Sequence, residues 1–246
     1  MERKYLELLK VWSLTEKQLT QIIYAREAES RIQDFYFDQV EKLRKSFDQS
    51  AQQIGGSQRE AVDLQQANKA SYGYATELWQ NMCKSVDRAR ELPILEPMCN
   101  KLDAEWEQLI SGLRERDKVL NYAAVFWKGR EDFDWQCRSW CRHLDDFLRA
   151  SRSTEQLAIA TIQEAEEYGK WAEEYGTLCY AMHKQVAQSG KKLLSLLQDP
   201  VNDNQRLKLD MSPASEKICV ALDESLSLRD TADISRKLAA FYLDAE

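Results

Sequence analysis

Between Pro93 and Trp127 the apolar side chains keep a strict helical beat. Leu95, Cys99, Leu102, Trp106, Leu109, Leu113, Leu120, Ala123 and Trp127 fall at alternating steps of four and three residues, and Arg116 fills the one slot without an apolar side chain. Steps of three and four hold side chains on one face of a helix with 3.6 residues per turn. Pro97 lies near the start, where its missing N–H is tolerated. The pattern runs on through Phe126, Phe133, Cys137, Trp140, Leu144 and Phe147, with Gly129 as the only soft spot. A stripe this long needs partner helices along its whole length. It exceeds one compact bundle, so it is expected to be shared by two consecutive bundles. That makes a rod, and a rod is seldom an enzyme.

Composition supports a helical, soluble chain. Of the 246 residues 43% are hydrophobic and 30% charged, enough to build a core beneath a solvated surface. Only 8 Gly and 4 Pro argue against a loop-rich or β-rich fold. The net charge of −7 disfavours nucleic acid, because phosphate neutralisation needs a basic face. No segment approaches the roughly 18 consecutive apolar residues of a membrane span, and the amphipathic start MERKYLELLKVW lacks a signal-peptide core. Cys83, Cys99, Cys137, Cys141, Cys179 and Cys219 have no CxxC spacing and sit among apolar neighbours. They read as reduced, core-filling residues of an intracellular protein. The absence of any Asn-x-Ser/Thr acceptor fits the same setting.

Punctuation divides the chain further. A first helix is expected over roughly residues 2–54, with Leu9, Trp12, Leu19 and Ile23 and then Tyr36, Val40, Leu43, Phe47 and Ile54 as its apolar positions. Gly55-Gly56 ends that run, and Ser57 with Glu60 forms a capping box for the next helix. The latter shows Tyr72, Ala75, Trp79, Met82, Val86 and Ala89 on one face. The long helix is expected to break at Ser151–Thr154, where Ser153 and Gln156 offer a second capping box. A helix with Ala165, Tyr168, Ala172, Tyr175, Cys179, Met182, Val186, Leu193 and Leu196 follows, Ser189 filling the missing slot. Residues 198–213 form the only long connector, a candidate mobile loop. Ser212-Pro213 then opens a last helix with Ile218, Leu222, Leu226, Ile234, Leu238 and Phe241.

In LDAEWEQLISGLRERDKVLNYAAVFW, the positions Leu102, Trp106, Leu109, Arg116 and Leu120 match the pattern L-x3-W-x2-L-x6-R-x3-L, and Ala124 follows one turn on. The stretch resembles the third helix of a spectrin repeat. Trp140 resembles the tryptophan of a spectrin first helix, and Gly190 the glycine before the apolar end of a second helix. The first segment admits two registers: Trp12 or Glu16 takes the tryptophan slot, and with Glu16 there Arg26 falls where Arg116 does. The last helix carries Leu222 in place of Trp. The resemblance implies an all-α fold of elongated tandem antiparallel three-helix bundles joined by continuous shared helices. The expected division is a partial helix over 1–30, repeats over 31–121 and 122–237, and the start of a further helix over 238–246. The units then recur about every 90 to 115 residues. Spectrin-repeat proteins act as spacers, actin-associated scaffolds and adaptors, including in Rho exchange factors and nuclear-envelope linkers.

Candidate chemistry is sparse. Cys137, Cys141 and His143 invite a metal reading, but a structural zinc site needs four ligands and His143 points away from the Cys137 side. Asp145-Asp146 and Glu164, Glu166 and Glu167 read as solvated charge, with no nucleophile or glycine loop beside them. Gly190-Lys191 lacks the glycine five positions earlier, where Gln185 stands, so there is no phosphate loop. Lys42, Arg44, Lys45, Lys191 and Lys192 lie in the C-terminal parts of their helices, where the dipole favours cations. Trp135, Trp171 and Tyr180 fall off the principal stripes and are the candidate partner-binding residues, since exposed aromatics anchor interfaces.

The expectation is therefore a non-enzymatic spacer or scaffold without catalytic residues, metal or cofactor. It would be a monomeric rod within a longer chain, binding cytoskeletal or signalling proteins in the cytoplasm or on the cytoskeleton, and binding no nucleic acid and no membrane. The rival reading is a BAR-like helical dimer on membrane surfaces, which needs a basic concave face that this acidic sequence does not advertise. Arg116, if buried, is expected to settle its charge against a carboxylate or helix carbonyls.

Overall fold

The computed structural model describes residues 2–153, 162–198 and 211–244, and among these the protein is helical with no strand. The elements are α1 (Glu2–Ser30), a π-helical segment (Arg31–Phe37), α2 (Asp38–Ala51), α3 (Gln58–Arg90), α4 (Glu96–Ser153), α5 (Ile162–Gln198) and α6 (Ser212–Asp244). Among the described residues no helix is long and apolar enough to cross a membrane. The expected capping box Ser153/Gln156, most of the 198–213 connector, and the side chains of Phe147, Glu164, Ala165, Glu166, Leu238 and Phe241 lie outside what is described.

Two compact units divide these elements. The first takes α1, the π-helical segment, α2, α3 from Asn68 onward and α4 as far as Glu115. Its core is formed by Ile32, Tyr36, Val40, Phe47, Ala75, Met82, Val86, Cys99, Leu102, Trp106, Leu109 and Leu113. Helices α3 and α4 run antiparallel. As α3 is read forward α4 is read backward: the buried Asn68 amide donates to the Leu113 carbonyl (2.9 Å), Trp79 stacks on Trp106 (4.9 Å between centroids, 9° between planes), and the Cys99 thiol meets the Val86 carbonyl (3.7 Å).

The expected single helix over 2–54 is corrected in two places. Residues 31–37 wind as a π-helix, and helix ends at Ala51, short of Gly55. The wider winding keeps Ile32, Tyr36 and Val40, at steps of four, on the buried side. The earlier stripe is not buried: Leu9, Trp12, Leu19 and Ile23 are 46%, 72%, 54% and 58% exposed. Gly55 reverses the chain at φ +76°, where a Cβ would also meet the Ala61 nitrogen at 2.8 Å. Beyond it the Ser57 hydroxyl accepts from the Glu60 N–H (3.1 Å) and the Glu60 carboxylate accepts from the Gly56 N–H (2.8 Å). This is a capping box with its return bond taken one residue early.

The second unit takes residues 52–67, α4 from Arg116 onward, α5 and α6. Its core holds Val119, Ala123, Phe126, Trp127, Phe133, Cys137, Trp140, Cys179, Val186, Leu193 and Ile218. Helices α4 and α5 pack antiparallel: Lys192 caps the Tyr122 ring, Gly190 faces Phe126, Val186 faces Gly129, His183 meets Phe133, and Tyr175 stacks on Trp140. Helix α6 runs back along α5, with Leu222 against Gly190 and Arg236 against Gly176. A Cβ on Gly190 would lie 2.7 Å from Leu222 and 3.0 Å from Phe126, so a glycine is what lets the helices close there.

Two registers differ from the sequence expectation. In α5 the stripe after Val186 passes through Gly190, Leu193 and Leu197, not through Ser189 and Leu196. In α6 the buried positions are Ala214, Ile218, Ala221, Ser225 and Ala232, whereas Leu226 and Ile234 are 41% and 59% exposed. Small residues face the core of α6 because it packs close to α5, and a search for large apolar side chains picks the wrong face. Cys219, expected in a core, is exposed, since it lies one residue and about 100° around the helix from the buried Ile218. By contrast, every apolar position of the stripe from Leu95 to Trp127 is buried, and so is Arg116, at 7% exposure, while Ala124 beside the stripe is partly buried.

Candidate functional site

The densest aromatic cluster lies where α4 and α5 pair in the second unit. Trp140, 1% exposed, supplies the floor. Tyr175 stacks on it at 4.4 Å and 9°, and Trp171 leans against it at 4.6 Å and 47°. Tyr168 and the exposed His143 flank Trp171, with centroids 5.3 and 6.2 Å away. The helical period explains the cluster: Tyr168, Trp171 and Tyr175 are three and four residues apart on one side of α5. The Tyr175 hydroxyl donates a hydrogen bond to the Gln136 carbonyl, and burial pushes its pKa up. Burial likewise raises Tyr168 to about 12.

Next to these rings is a cavity of about 310 Å³ between α5 and α6. Trp140, Tyr175, Gly176 and Cys179 line one side, and Arg229, Asp230, Ala232, Asp233 and Arg236 the other. Arg229 pairs with Asp230 (2.6 Å) and Arg236 with Asp233 (3.1 Å), so the rim is charged but internally compensated. Gly176 makes room for the Arg236 stem, which a Cβ would meet at 2.8 Å.

Cys137 and Cys179 face each other across α4 and α5 with sulfurs 3.8 Å apart, both buried. The hydrogen bond between the two thiols holds Cys179 below the usual thiol range, and the same bond and burial hold Cys137 above it. Burial raises Cys141, one turn along α4. No group of three or more metal-binding side chains occurs among the described residues.

The three aromatics singled out from sequence do not form one patch. Trp171, 38% exposed, belongs to the ring cluster; Tyr180, 63% exposed, sits at the cavity edge; Trp135, also 63% exposed, stands on the outer face of α4. Trp171 and Tyr180 are nine residues apart, which places them on opposite sides of α5. The charged positions behave as solvated surface where they are described. Asp145, Asp146 and Glu167 are exposed, Lys42 and Lys45 pair with Asp38 and Glu41 (2.6 and 2.7 Å), and Lys192 lies over the Tyr122 ring.

The sequence reading missed the Cys137–Cys179 pair and the cavity. Both cysteines were placed on core stripes, but which residue of α5 stands opposite Cys137 depends on where the chain turns between the helices. No protein-family model matches the chain, and no solved structure matches it.

Proposed function

We propose that the chain is a non-enzymatic scaffold segment of tandem spectrin-like three-helix repeats, spacing flanking modules and presenting helical faces to cytoskeletal or signalling proteins. The observation that carries this reading is α4: an uninterrupted helix of 58 residues that serves the cores of both compact units. Its stripe is buried from Leu95 to Leu144, and the L-W-L-R-L positions all lie inside. The antiparallel pairing of α3 with α4, and of α4 with α5 and α5 with α6, is what such repeats require. Trp135 and Tyr180, aromatic and exposed, are the proposed partner contacts.

Small-angle X-ray scattering with in-line mass measurement tests the proposal. A compact monomer of this length has a radius of gyration near ~18 Å. Two bundles end to end, each about 45–50 Å long at 1.5 Å rise per residue, give roughly 30 Å. An extended monomer supports the scaffold reading. A compact monomer overturns it, and an extended dimer that co-sediments with anionic vesicles replaces it with the BAR-like alternative.

A further inference from the structure

We propose that Cys137 and Cys179 form a peroxide-responsive dithiol that closes to a disulfide between α4 and α5. The sulfurs already lie 3.8 Å apart, on side chains that point at each other from two packed helices. Helices packed about 8–10 Å apart, each with its Cα atoms about 2.3 Å from its axis, leave directly facing Cα atoms about 3.4–5.4 Å apart. That range overlaps the Cα spacing of about 4.4–6.8 Å that a disulfide spans, so a bridge between two packed helices is geometrically accessible. Burial alone would make such a pair inert, and the cavity changes that. Cys179 forms part of its wall, and at about 310 Å³ it admits a molecule the size of hydrogen peroxide, since one water occupies about 30 Å³. The rim of that cavity is polar, with Arg229 paired to Asp230 and Arg236 to Asp233. The hydrogen bond with Cys137 holds the Cys179 pKa below the usual thiol range, which favours its thiolate.

The chemistry balances with a hydroperoxide as oxidant. The Cys179 thiolate attacks one peroxide oxygen, the O–O bond breaks, and hydroxide leaves and takes a proton to become water. The resulting sulfenic acid is then attacked by the Cys137 sulfur. The S–O bond breaks, a second water leaves, and one disulfide has formed from two thiols and one peroxide. Cys137 is the resolving partner because its sulfur is the one in contact; Cys141 lies one turn further along α4. This assignment stands independently of the scaffold reading.

The test uses the full chain at neutral pH, treated with hydrogen peroxide, blocked with N-ethylmaleimide after denaturation, and digested without reductant. The expected result is a cross-linked peptide pair carrying Cys137 and Cys179, lighter by two hydrogens, with parallel loss of both alkylated thiols and reversal by dithiothreitol. Cys141→Ser should leave that link intact. Cys137→Ser, once its helical circular dichroism is confirmed, should convert the link into a Cys179 sulfenic acid trapped by dimedone. The exposed Cys219 serves as the internal control for oxidant delivery. If both buried thiols remain alkylatable in the wild-type chain when Cys219 is fully oxidised, or if Cys179 links to Cys141, the proposal is wrong.

Discussion

Replacing Trp106 with alanine should be among the most damaging single changes available in the first unit. The indole is 7% exposed and lies flat on Trp79, with centroids 4.9 Å apart and planes within 9°. A buried tryptophan hides about 150–250 Å², and at about 25 cal/mol per Å² the transfer contribution is ~4–6 kcal/mol, of which alanine retains a small share. Measured large-to-small changes of this kind centre on about 3–5 kcal/mol. The stacking itself accounts for about 0.5–1.5 kcal/mol beyond area. Denaturant unfolding followed by circular dichroism at the helical band reads the loss without relying on tryptophan emission. Because the chain holds two units, the curve must be fitted for two transitions, and the loss should appear in one of them. A double-mutant cycle with Trp79→Ala then isolates the stack, with an expected coupling of about 0.5–1.5 kcal/mol. A Trp106→Ala loss under about 2 kcal/mol would refute the burial argument. A coupling of zero would refute the stack while leaving the burial intact.

The other predictions concern glycine and the α6 register. Gly190→Ala should destabilise by about 1–3 kcal/mol, because its Cβ collides with Leu222 and Phe126. Gly73→Ala, mid-helix with nothing within 4 Å, should instead stabilise by about 1 kcal/mol, and thermal melts of the pair should move in opposite directions. In α6, Ile234→Ser should be within about 0.5 kcal/mol of neutral, whereas Ile218→Ala, at 0% exposure, should cost about 2–5 kcal/mol. Equal losses at the two positions would show that the α6 face is misassigned.

Helical content, the positions of the helix ends near Ser57 and Ser212, and the buried stripe of α4 from Leu95 to Leu144 were legible from the chain, because they rest on local spacing and capping. Large side chains at steps of three and four have few alternatives to a common face, and Arg116 could be counted within the stripe because its neighbours fixed the phase. The same logic failed in α6, where Ala214, Ala221, Ser225 and Ala232 face inward and Leu226 and Ile234 face out. Close helix packing selects small residues, and apolar volume then points to the wrong side. It failed again at Ser189 and Leu196, because Gly190 offers no side chain to count yet is where Leu222 and Phe126 fill the space a Cβ would take. The aromatics off the stripes are 38% to 63% exposed, but their grouping was not legible: Trp171 joins Trp140 while Trp135 stands apart.

Periodicity thus determines that this chain is a set of long amphipathic helices, and which face of α4 is covered, since both follow from backbone geometry acting over a few turns. The opposition of Cys137 to Cys179, the cavity beside them and the stack of Trp140 on Tyr175 depend on the relative axial offset of α4 and α5. That offset is set by the sum of packing contacts over both helices, a quantity no single stretch of sequence contains.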